Sequence, residues 1–323
     1  MSMTGPADHP PSPRPLDAAK FRDPGVTAQG APRASVAFTG LRMLWINTGT
    51  LCNIACANCY IESSPRNDAL VYISANEVAA LLDEATVPGE PLQQVGFTGG
   101  EPFLNRELPA MLRDVLGRRL QALVLTNAMK PMLRYADALL ALAGAAGERL
   151  TLRVSLDHPD AARHDAERGS GSFEQAMAGL EWLVRHGVHV RVAGRPGLFG
   201  ESEAALRQGF ARLFAARSIP LDADDPQALV LFPEMDAAVD VPEITTACWD
   251  ILHKRPADLM CATARMVVKR KGAARPGVVA CTLLPYDPRF ELGSTLAEAA
   301  RPVALNHPHC ARFCMLGGGS CAP

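Results

Sequence analysis

The chain has no apolar run near the roughly 18 residues a membrane-spanning helix needs. Its first residues, Met1-Ser2-Met3-Thr4-Gly5-Pro6, show no basic-then-apolar export segment. The expectation is a cytoplasmic protein with no membrane partner. A charge excess is also missing: 32 Lys and Arg stand against 34 Asp and Glu, a net −2. That balance gives no electrostatic reason to expect nucleic acid as a partner. The one dense basic run, Lys269 to Lys271, abuts Gly272 and reads as an exposed turn. Cysteine is absent between Cys59 and Cys248, although the chain has nine. An odd count, clustered at two places and without an export signal, excludes a disulfide framework and points to metal binding or catalysis.

What is present suits one large α/β domain with a small appendage: 323 residues, 48% of them hydrophobic. The stretch to about Ser35, with Pro10, Pro11, Pro13 and Pro15, reads as a disordered or loosely draped lead-in. From there strands and helices alternate. Strands are expected at 41–47, 92–97, 122–125, 150–156, 188–192 and 228–232. Helices are expected at Ser74–Leu82, where Ser74 and Glu77 have capping-box spacing, and at 106–120, 131–146, 172–186 and 203–217. This alternation predicts a parallel sheet covered by helices, in the form of a partial (β/α)6 TIM-like barrel. Reactive groups then gather at the C-terminal ends of the strands. After Phe232 the rhythm changes. One helix over 244–253 and a hairpin of 264–269 with 278–281 are followed by loops. The expected division is a lead-in over 1–35, a core domain over 36–240 and a small cysteine-rich hairpin and loop domain over 241–323.

Cys52-Asn-Ile-Ala-Cys56-Ala-Asn-Cys59 begins five residues after the first strand. Three thiolates on one short loop can hold three irons of a [4Fe–4S] cubane, leaving the fourth iron open to a substrate. A structural zinc site wants a fourth ligand close by; His158 and His164 are far away in sequence, and Tyr60 is a poor ligand.

CxxxCxxC after a first strand resembles the signature of the radical SAM superfamily, and three further segments reinforce the likeness. Gly96-Phe-Thr-Gly99-Gly100-Glu101-Pro102 is similar to the family's GGE motif. The resemblance implies contacts from Gly99, Gly100 and Glu101 to the amino group of S-adenosylmethionine (SAM). Val154-Ser155-Leu156-Asp157 with His164 to Phe173 resembles a stretch of peptide-modifying members. Ser155 and Arg168 match the positions that help hold SAM there, Arg168 pairing with the methionine carboxylate. Thr126-Asn127-Ala128 matches a TNG-like turn with Ala128 in place of glycine. Two departures stand out. Asn58 occupies the place of an aromatic residue before the third cysteine, and 191–196 lacks the asparagine often found in the fifth strand.

The resemblance implies reductive cleavage of SAM and hydrogen abstraction by a 5′-deoxyadenosyl radical. It also implies an external electron donor such as flavodoxin or ferredoxin.

Cys261, Cys281, Cys310, Cys314 and Cys321 resemble the SPASM or Twitch extension of radical SAM enzymes, which binds auxiliary iron–sulfur clusters. Their number implies one auxiliary [4Fe–4S] cluster, with Cys261 and Cys281 the firmest ligands and one of the last three spare. Zinc would suit the same thiolates. Cys248 reads as a core residue, and His307 and His309 as surface-loop histidines. The branch resembled implies a peptide, or a peptide-derived or cofactor-precursor small molecule, as substrate. The first 35 residues are too short and proline-rich for a leader-binding domain, so a peptide would need the barrel mouth or a separate binding protein. The GxRxR tail of the molybdenum-cofactor cyclases is absent, so GTP is not expected. A SAM-binding iron–sulfur carrier or scaffold is the competing reading, and a zinc-stabilised module a third.

Overall fold

The computed structural model describes residues 14–85, 91–233 and 235–318. Cys321 and the first 13 residues of the expected lead-in lie outside these. In chain order the elements are β1 (Ser35–Val36), β2 (Met43–Asn47), α1 (Ala75–Glu84), β3 (Gln94–Thr98), α2 (Leu108–Gly117), β4 (Gln121–Thr126), α3 (Lys130–Leu133), α4 (Ala136–Ala146) and β5 (Leu150–Ser155). Then come α5 (Ala161–Arg168), α6 (Ser172–Arg185), β6 (His189–Gly194), α7 (Glu203–Ala216), β7 (Leu229–Leu231), α8 (Cys248–Ile251), β8 (Ala264–Val268), β9 (Gly277–Val279), β10 (Glu291–Gly293) and β11 (Val303–Ala304). No helix among the described residues is long and apolar enough to cross a membrane.

One nine-stranded sheet carries the molecule, in the order β10-β9-β8-β2-β3-β4-β5-β6-β7. The six expected strands, β2 to β7, lie side by side and parallel. That is the partial barrel the alternation predicts. Strand β2 shows how the sequence builds it. Every residue of Met-Leu-Trp-Ile-Asn is buried, as a strand covered on both faces requires. Successive side chains alternate faces. Leu44 and Ile46 join the large core beneath the helices. Met43 and Trp45 fill a second, interior cluster with Leu123, Ala264, Met266 and Val268. Helix α1 starts where its capping box requires: Ser74 accepts from the Glu77 backbone, and the Glu77 carboxylate accepts from Ser74.

The hairpin of β8 and β9 forms as expected but is not a separate layer. Strand β8 pairs in parallel with β2 and extends the same sheet. The 36–240 and 241–323 segments therefore share one core. The lead-in also differs from its expectation. Phe21 is 2% exposed, Lys20 pairs with Asp240 at 2.6 Å, and Arg33 pairs with Glu243 at 2.5 Å. Strand β1 pairs with β11. Proline content alone does not show that a segment lacks such anchors. The helix expected over 244–253 is the single turn α8, while α5 has no counterpart in the sequence reading. Its residues, Ala-Ala-Arg-His-Asp-Ala-Glu-Arg, have almost no apolar periodicity.

Candidate active site

The cysteine loop leaves β2 at the C-terminal edge of the sheet and is held from several sides. Cys52 N–H donates to Ser64 O at 3.1 Å, and Ser63 N–H donates to Cys59 Sγ at 3.3 Å. From α5, Glu167 O accepts from Ala57 N–H at 2.7 Å, and its carboxylate takes the Asn58 amide at 2.9 and 3.0 Å. Arg195, just past β6, donates to Asn58 O at 3.2 Å. Burial pushes the Cys52 thiol up to about 12 and raises Cys56, against a downward pull from Arg168. As folded, these thiols hold their protons until a cation replaces them.

The loop after β3 packs directly on the cysteine loop. Gly100 N–H donates to Gly49 O at 2.8 Å and Glu101 N–H to Leu51 O at 3.1 Å. A Cβ on Gly100 would lie 2.1 Å from Leu51 O; one on Gly99, whose φ is +134°, would lie 2.4 Å from Gly49 O. The glycines are thus required first by loop–loop approach. Glu101 is 1% exposed. Its carboxylate accepts from Phe103 N–H at 3.1 Å, Thr126 Oγ1 at 2.9 Å and Asn127 N–H at 2.9 Å. Burial raises it to about 7 against those three bonds. The side chain bolts the β3 loop to the β4 turn.

The cavity, about 160 Å³, opens at this edge. Cys52, Cys56, Cys59, Gly99, Gly100, Ser155 and Arg168 all line it. Seven of the eight N-terminal candidates therefore meet at one place; Glu101 stands behind. Arg168 donates Nε and Nη2 to the two oxygens of Asp157 at 2.7 and 3.0 Å. Burial works to raise Asp157, but Arg168 overrides it and holds the carboxyl below its usual range. The guanidinium expected to await a ligand is already half committed.

Asn127, from the TNG-like turn, lines the cavity and bonds Asn53 of the cysteine loop at 2.9 Å. Other lining residues were not singled out from the sequence. Arg153 lies on β5 two residues before Ser155, over the Phe232 ring at 5.1 Å. Phe232 stacks on Phe313 at 5.8 Å. An arginine inside a buried parallel strand was the available signal, since such strands are normally near-continuous apolar runs.

A second, smaller cavity of about 20 Å³ gathers Cys261, Cys281, Cys310 and Cys314. Cys310 and Cys314 lie four apart on a π-helical segment, Cys310–Leu316. Burial raises Cys310 strongly and Cys261 to about 11. His309 also lines this cavity, and its ring stands 4.6 Å from His307, which burial lowers to about 4. These half-buried histidines are not the surface-loop residues expected. Cys248 packs against the core instead and accepts from Thr245 N–H at 3.4 Å. Among the described residues no three His, Cys, Asp or Glu groups are clustered tightly enough to hold one metal ion. Leu283 lines both cavities, and Phe313, between Cys310 and Cys314, lines the larger.

A parallel α/β sheet with three cysteines of one loop lining a cavity at its C-terminal edge defines the class in outline. The Radical SAM superfamily model matches residues 46–210, half of the chain, and the chain belongs to that superfamily. It is 32% identical over 144 residues to the AdoMet-dependent heme synthase of Oleidesulfovibrio alaskensis, covering 44% of this chain and 34% of that one. It is 33% identical over 145 residues to the subtilosin biosynthesis protein AlbA of Bacillus subtilis, covering 44% and 30%. The matched region thus spans about a third of these relatives' length. The fold is similar to that of Streptococcus suis SuiB bound to the precursor peptide SuiA: TM-score 0.57, 12% identity, 81% of this chain and 65% of that one.

Proposed function

We propose that this enzyme holds a [4Fe–4S] cluster on Cys52, Cys56 and Cys59, binds SAM in the adjoining cavity, and abstracts hydrogen from a peptide or a peptide-derived or cofactor-precursor substrate. One observation carries the reading: three thiols of one loop share a cavity with Gly99, Gly100, Ser155 and Arg168. When bound, the cluster and SAM supply one-electron cleavage of the S–C5′ bond, which yields a carbon radical able to take a hydrogen atom.

The chain's own groups do the rest. The Gly99-Gly100 backbone offers carbonyls to an ammonium, with Glu101 fixing that backbone from behind. Ser155 and the remaining Nη1 of Arg168 serve a carboxylate, and the Asp157 pair fixes the guanidinium plane. Leu283, Phe232 and Phe313 form an apolar wall that keeps water from a reactive intermediate. Cys261, Cys281, Cys310 and Cys314 hold one auxiliary cluster, and an external protein such as flavodoxin or ferredoxin delivers electrons. AlbA, named for the biosynthesis of a bacteriocin, and SuiB, solved with a precursor peptide bound, favour a peptide substrate. A separate peptide-binding protein and a cytoplasmic location belong to the same reading.

The test is anaerobic reconstitution with iron and sulfide, followed by dithionite, SAM and an assay for 5′-deoxyadenosine. The wild type yields the product; Cys56→Ala falls to background and loses the N-terminal iron. Wild-type product formation by C56A would overturn the assignment. A fully loaded, reduced wild type that binds SAM but forms no product, even with candidate peptides, would favour the carrier reading.

A further inference from the structure

Arg265 is 1% exposed on β8, in the middle of the shared core. Its guanidinium makes four hydrogen bonds, all to carbonyls. Nε donates to Ala299 O at 2.9 Å, Nη1 to Cys261 O and Ala264 O at 2.7 Å each, and Nη2 to Arg301 O at 2.9 Å. Its plane lies under Phe38, 4.2 Å from the ring centroid. Carbonyls satisfy the N–H groups without cancelling the charge. Arg33, also buried, and the half-buried Arg168 each hold a carboxylate. Among the described residues no acid pairs with Arg265; the groups whose ionisation would favour its charge are the thiols of Cys261 and Cys281. A buried charge without a counter-charge is costly, and proteins pair such charges.

Both thiols line the four-cysteine cavity, and Cys261 offers Arg265 its backbone oxygen as well. Deprotonated and metal-loaded, four thiolates bring more negative charge than the metal offsets. We propose that Arg265 is the built-in counter-charge of an anionic metal–thiolate centre at Cys261, Cys281, Cys310 and Cys314, and that it raises the reduction potential of that centre. The inference rests on the reading that these cysteines hold an iron–sulfur group. Reduction makes the centre more negative, so a fixed positive charge beside it favours the reduced form.

The experiment uses the full chain with Cys52, Cys56 and Cys59 replaced by Ala, so that iron and sulfide load only the C-terminal site. An electron paramagnetic resonance redox titration gives the midpoint potential. R265Q is expected to lower it and R265K to keep it near the parent value. Urea midpoints of the metal-free and loaded forms give a second readout. R265Q strips carbonyl partners in both forms, so the gain on loading isolates the charge. That gain is expected to be smaller in R265Q than in the parent. Should R265Q fail to fold, Phe38→Glu sets a carboxylate over the intact guanidinium. It is expected to lower the potential and to stabilise the metal-free form. Unchanged potential and equal loading gain in every folded neutralising variant would overturn the inference. A parent that takes up no iron would overturn the cluster reading itself, and the inference with it.

Discussion

At the scale of single residues, the Arg168–Asp157 pair separates positioning from charge. Asp157 is held below its ordinary 3.8 despite burial, because Arg168 favours its charged form. Its contribution to stability is therefore complete above the unfolded value and is lost as pH falls through the lower folded value. Asp157→Asn leaves the half-buried Arg168 guanidinium unpaired and should cost about 1–3 kcal/mol near neutrality. The gap to wild type should narrow below pH 3.8, as followed by urea unfolding at a series of pH values. A gap independent of pH would remove the ion pair as its cause. The thiol triplet was legible in the sequence because its spacing is a local property. The bolt made by Glu101 was not, because its partners, Thr126 and Asn127, come from another loop. Arg153 and Arg265 were passed over for a related reason. Each sits in a strand otherwise apolar, and only packing shows what surrounds it.

At the scale of elements, the contact between α6 and the β4 turn is unusually close. A Cβ on Gly179 would stand 1.7 Å from Ala128 O, in a turn where Ala128 itself has φ +56°. On an exposed helix, Gly→Ala gains up to about 1 kcal/mol. Here the sign should reverse. Gly179→Ala pushes α6 away from the turn that supplies Thr126 and Asn127 to Glu101, at a cost of about 2–3 kcal/mol. Chemical denaturation measures it; a stabilised variant would show that the helix can retreat freely. The strands and longer helices were readable because burial on one or both faces writes a period into the sequence. Helix α5 was not, since its residues are mostly polar and it stands by its cap, Asp160 accepting from Arg163 N–H at 3.0 Å, and by tertiary contacts. Yet α5 carries both Glu167, which grips the cysteine loop, and Arg168.

At the scale of the whole molecule, the sheet does not respect the boundary expected near residue 240. The change of rhythm there is real, but rhythm reports local structure, and β8 finds its neighbour far back in the chain at β2. A chain stopped after Asp240 would bare the β2 edge and half of the interior cluster around Trp45. The expected outcome is insoluble protein or one without a cooperative thermal transition. A soluble fragment melting cooperatively would show that the first part folds by itself.

The clasp between residues 14–36 and the segment from 239 to 306 bears on how the chain is made. Ala34 O waits for Leu305 N–H, and β1 for β11, across nearly the whole length of the polypeptide. On a ribosome, β3 to β7 can zip in order as they emerge, each beside its predecessor. Strand β2 meanwhile keeps one row of backbone groups open until β8 is synthesised. Contacts of such high sequence separation slow folding and lengthen the exposure of sticky edges. Synthesis that pauses before residue 268 should therefore hand the nascent chain to chaperones, and expression yield should depend more on translation through this late region than on any earlier one.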